Sequence, residues 1–78
     1  MLPHSNFRVK RMEPETAKIL ENFRKTRISR KISLLRLANM ANISHSHLYY
    51  IESKRVMPSL DVIIKLTKAL KINIKDIL

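Results

Sequence analysis

The sequence predicts an all-α fold of five short helices, on three observations. Apolar residues recur at three- and four-residue spacings along most of the chain. Serines stand directly before the apolar stretches, at Ser33, Ser44 and Ser59, where a starting helix needs a side-chain oxygen for its free N–H groups. No segment reads as a strand, and there is no repeat or low-complexity tract. With 78 residues there is room for one small domain. So short a chain buries a modest share of its surface, and dimerisation would help it.

Residues 1–13 lack clear periodicity and are expected to be a flexible basic arm carrying Arg8, Lys10 and Arg11; residues 14–78 form the folded domain. Helix 1 starts at Pro14, which suits a first helical turn, with Glu13 and Glu15 at the favourable end of the dipole. Its buried stripe is Ile19, Leu20 and Phe23, and it ends between Ile28 and Arg30. Helix 2 follows Ser33 and runs from Leu34 to about Ala41, with Leu37 and Ala38 inward. Asn42 can enter the left-handed region that a tight turn requires. Helix 3 opens after Ser44 and ends near Ser53; Leu48 and Ile51 point inward, leaving His45, Ser46, Tyr49 and Tyr50 outside. Pro58 closes the next loop, since it cannot extend a helix. Helix 4 takes Ser59 as its cap and Leu60, Ile63, Ile64, Leu66 and Leu70 as its apolar face. A last helix follows Asn73, which stands in capping-box spacing with Asp76.

Composition narrows the function. Sixteen Lys and Arg against six Asp and Glu give a formal charge of +10, which favours a polyanionic partner, nucleic acid above an anionic membrane surface. Without cysteine there is no disulfide framework, no thiolate zinc site and no thiol nucleophile, a composition compatible with a reducing cytoplasm. The N-terminus lacks the apolar segment of a secretory signal. No apolar run approaches the roughly 18 residues of a membrane span, so no membrane partner is expected. No nucleophile–base pair, phosphate loop or carboxylate dyad is present, and no enzyme is expected.

Helices 2 and 3, joined at Asn42 with polar and aromatic groups outward on the second, make a helix-turn-helix. The whole arrangement from Ile19 to Leu78 resembles the phage-repressor and Cro-like, or XRE, family. The resemblance rests on Ser33 with Leu37-Ala38, Asn42-Ile43-Ser44, Leu48 with Ile51-Glu52, Pro58-Ser59-Leu60, and Ala69-Leu70 before Ile72. It implies a lambda-repressor-like domain that binds double-stranded DNA as a transcriptional regulator. Cytoplasmic work on a bacterial or phage nucleoid goes with that reading. The resemblance places His45, Ser46 and Tyr50 at base edges, and His47 and Tyr49 at the backbone or groove wall with Ser44. Arg36, Lys54 and Arg55 flank the motif where phosphates run. Arg27 and Glu52 would form a structural ion pair between helices 1 and 3. Ile74, Ile77 and Leu78 exceed what a short terminal helix hides, and relatives build a two-fold homodimer with this end.

The sequence departs from the family where glycine is common: it has Lys31, Asn42 and Lys54 there, and no glycine anywhere. Either Lys31 and Lys54 are forced left-handed, at about 1–2 kcal/mol each, or their loops differ from the family's. Leu34 stands where the family often has a phosphate-binding glutamine. His45 and His47 are two apart, do not share a helix face, and lack a third ligand, so no metal is expected. No cofactor is implied, and no second domain suggests a small-molecule effector. Exposed lysines are usually a solvated face, which is the reading for Lys65, Lys68, Lys71 and Lys75. The arm is either a plain tail or a segment that follows phosphates into a minor groove. The alternative function is a protein-interaction module of antitoxin or phage-regulator type; the apolar C-terminus and Leu34 favour it, and the charge opposes it.

Overall fold

The computed structural model of the chain describes residues 12–76. Four α-helices follow in order: α1 Pro14–Ser29, α2 Leu34–Ala41, α3 His45–Glu52 and α4 Leu60–Leu70. In place of the expected fifth α-helix, the described residues end in a single 3-10 turn, Ile74–Asp76. Its start is local: the Asn73 side-chain oxygen accepts from the Lys75 N–H at 3.1 Å. Asp76 contributes only its backbone N–H, to the Asn73 carbonyl, so the expected reciprocal capping box is not formed. The side chain of Ile74, residues Ile77 and Leu78, and the arm as far as Arg11 lie outside the described residues.

Each helix begins for a reason visible in the chain. Pro14 fills the first position of α1, where a missing N–H costs nothing. Ser33, Ser44 and Ser59 accept from the N–H groups of Arg36, His47 and Val62 at 3.0, 3.0 and 3.1 Å.

The helix ends share one device. Lys31, Asn42, Lys54 and Lys71 all have φ between 55° and 63°. Around each, two bonds close a Schellman motif. After α1, for example, the Lys31 and Ile32 N–H groups reach the carbonyls of Ile28 and Arg27. The pattern repeats after α2, α3 and α4. Lys31 and Lys54 thus take up the left-handed strain their sequence positions imply, and Lys71 is a fourth such place.

The core is Ile19, Leu20 and Phe23 of α1, Leu37, Ala38 and Ala41 of α2, Leu48 and Ile51 of α3, and Val62, Leu66 and Leu70 of α4. Helix α2 packs on α4 and α3, and α1 closes over both. Ala38 is fully buried, its small side chain letting α2 pack closely. Two expectations for α4 need correction: Leu60 is 69% exposed and Ile64 is also exposed, while Val62 and Thr67 take inward places. Residues 62, 66 and 70 form one four-residue row with 67 beside it, and the row containing 60 and 64 turns away from the core. Thr67 tolerates burial because its hydroxyl donates to the Ile64 carbonyl at 2.8 Å. Met12, assigned from sequence to the arm, packs against the core, since its flexible thioether side chain can fill an irregular edge. A long-range tie joins the helix ends: Arg30 donates to the Leu70 carbonyl at the C-terminus of α4.

Candidate nucleic-acid interface

Helix α3 is eight residues long, with one buried side and one open side. Leu48 and Ile51 are essentially inaccessible, while His45, Ser46, His47, Tyr49 and Tyr50 are exposed. The Ser44 cap occupies the His47 N–H, leaving N–H groups at the very start of α3 to face outward with His45 and Ser46. The two tyrosines, 48% and 43% exposed, meet edge to face with ring centroids 5.5 Å apart. Ser53 secures the end of the helix, its hydroxyl donating to the carbonyls of Tyr49 and Tyr50 at 2.9 and 3.2 Å.

The anchor for this surface lies behind it. Arg27 Nε donates to Glu52 Oε2 at 2.8 Å and its Nη2 to Oε1 at 2.9 Å, a bidentate fork. The remaining nitrogen, Nη1, donates to the Ile32 carbonyl at 2.9 Å. The two side chains retain only 14% and 10% of their exposure. One guanidinium therefore binds the end of α3 and the turn after α1. An open pocket of about 260 Å³ adjoins the pair, lined by Arg24, Arg27, Leu34, Tyr49, Glu52 and Ser53. Leu34, half-buried against the core, thus has a packing role beside this ion pair. Leu35 and Met40 of the same helix are exposed.

The flanking cations differ in their partners. Arg36 is exposed in the first turn of α2. Lys54, whose sequence position suggested a phosphate, places its ammonium 3.3 Å from Glu21, and Glu21 also lies 3.6 Å from Arg24. Arg55 holds its guanidinium 6.0 Å from the centre of the Tyr50 ring. Sequence reasoning missed the Glu21 contacts because α1 and the α3 end are far apart in the chain. The Arg55 contact had a local signal: a left-handed Lys54 puts the next residue back over the helix. Among the described residues, no helix is long and apolar enough to cross a membrane.

Residues 23–77 match the model of a family described as helix-turn-helix, of XRE type. The chain belongs to that family. No curated protein and no solved structure matches it significantly. Membership in the XRE family supports DNA binding by a regulator of that type, and the match takes in α2, the Asn42 turn and α3 together.

Proposed function

We propose that this chain binds double-stranded DNA sequence-specifically as a small XRE-type regulator, with residues 45–53 in the major groove. One observation carries the reading: a capped helix with Leu48 and Ile51 buried behind it presents His45, Ser46, Tyr49 and Tyr50 on a single open surface. A helix offered this way enters the groove with its first turn spread toward the bases.

His45, Ser46 and Tyr50 touch base edges. Ser44, His47, Tyr49, Arg36, Lys54 and Arg55 run along the backbone or groove wall, where Lys54 exchanges the Glu21 carboxylate for a phosphate. Tyr50 offers a ring face for a thymine methyl and a hydroxyl that donates or accepts. The regulator acts in the cytoplasm as a repressor, by occluding polymerase. It binds as a homodimer through Ile74, Ile77 and Leu78, which sets two recognition helices about one DNA turn apart. The basic arm of residues 1–13 adds charge contacts alongside.

The test is selection of purified protein against random DNA duplexes, followed by sequencing of what is retained. An enriched inverted repeat is the expected result. A single enriched half-site removes the dimer and keeps the base-reading role. Salt-sensitive retention without any enriched motif overturns the proposal and leaves charge as the only contact, which moves ahead sequence-blind coating of nucleic acid and the protein-interaction reading, for which exposed Leu35, Met40 and Leu60 supply apolar surface.

A further inference from the structure

We infer that Arg55 is a positioning residue for Tyr50, so that the side chain packed beside the recognition helix helps to set base preference as well as affinity. The inference rests on the reading of Tyr50 as a base contact. Its ground is the comparison of the helix ends.

In a Schellman motif the residue after the left-handed position returns over the helix and packs near the residue five places earlier. After α1, α2 and α4 that returning residue is Ile32, Ile43 or Ile72, each half-buried against the core. After α3 alone it is a charged residue. The Arg55 N–H donates to the Tyr50 carbonyl at 2.9 Å, completing the motif, and its guanidinium comes to 6.0 Å from the Tyr50 ring. The contact that elsewhere joins an isoleucine to the core here joins an arginine to an outward-facing aromatic ring.

The ring is held from its other neighbour as well. Tyr49 meets it edge to face at 5.5 Å and 65°, and the Ser53 hydroxyl holds both tyrosine carbonyls. An exposed tyrosine normally samples several staggered χ1 wells. Tyr49 and Arg55 flank the ring of Tyr50 and narrow that choice.

The experiment measures binding of the full chain to its selected duplex and to the duplexes carrying other base pairs at the position Tyr50 reads. Four proteins are compared: unchanged, Tyr50→Ala, Arg55→Ala and Arg55→Ile. Tyr50→Ala abolishes a discrimination of about tenfold at one position. Arg55→Ala weakens every duplex and also cuts that discrimination about two- to fivefold, the scale of an exposed cation–ring contact. Arg55→Ile carries the side chain used after α1, α2 and α4. It loses the charge, lowering the salt slope by about 0.9, yet restores the discrimination by packing on the ring. Full discrimination in Arg55→Ala overturns the inference, as does failure of Arg55→Ile to recover it. Unchanged discrimination in Tyr50→Ala instead overturns the base-contact reading. Unfolding curves of the four proteins show whether any loss is one of folding.

Discussion

Replacing Lys71 by glycine tests the account of the helix ends where no DNA contact is proposed. Lys71 ends α4 at φ 55°. In that conformation the Cβ of an L-residue crowds the neighbouring carbonyl at a cost of about 1–2 kcal/mol. Glycine removes the crowding but loses more backbone freedom on folding, by roughly 0.5–1 kcal/mol. It also removes a cation from the negative end of the helix dipole, worth about 0.3–1 kcal/mol. Lys71→Gly compared with the unchanged chain is therefore a small difference between opposing terms. Comparison with Lys71→Ala is cleaner, because alanine also lacks the cation and keeps the Cβ. Lys71→Gly is expected to be about 1 kcal/mol more stable than Lys71→Ala. For a domain of this size that is a midpoint difference of about 4–8 °C. Far-ultraviolet circular dichroism during heating and urea titration reads it. An alanine variant equal to or more stable than the glycine variant would refute the strain argument.

Three further outcomes follow from the anchor, the caps and the counter-charge. Arg27→Ala strands the shielded Glu52 carboxylate and is expected to cost about 3–5 kcal/mol in urea unfolding; a loss under about 1 kcal/mol would class the pair with ordinary surface ion pairs. Ser44→Ala removes the acceptor for the His47 N–H and is expected to cost about 1 kcal/mol; an unchanged thermal midpoint would mean that water replaces the cap without loss. Glu21→Gln releases Lys54 and Arg24 from their shared carboxylate. Duplex titrations should then show tighter binding, because Lys54 no longer has to leave a carboxylate to reach a phosphate, and an unchanged affinity would place Lys54 away from the phosphates.

What could be read from the chain is what neighbouring residues decide. The serine caps, the Asn42 turn and the inward positions Leu37, Ala38, Leu48 and Ile51 depend on spacing within a turn or two. The exposure of His45, Ser46, Tyr49 and Tyr50 follows from the same count. Leu60 and Ile64 show the limit. Helical periodicity marks a broad stripe of α4, and only packing against α2 decides which row of it becomes buried. The terminal turn marks another: a short apolar tail with an asparagine start fits a helix as well as a single 3-10 turn. Lys54 with Glu21, and Arg30 with the Leu70 carbonyl, join residues 33 and 40 places apart, and no local pattern encodes such pairs.

The Arg27 guanidinium has a consequence for the energetics of recognition. Because its nitrogens are shared between Glu52 and the Ile32 carbonyl, α3 cannot tilt without disturbing the turn after α1. The orientation of the reading surface is thus settled when the chain folds. Under the proposed DNA reading, little ordering entropy then remains to be lost on binding, and more of the gross contact energy survives as affinity.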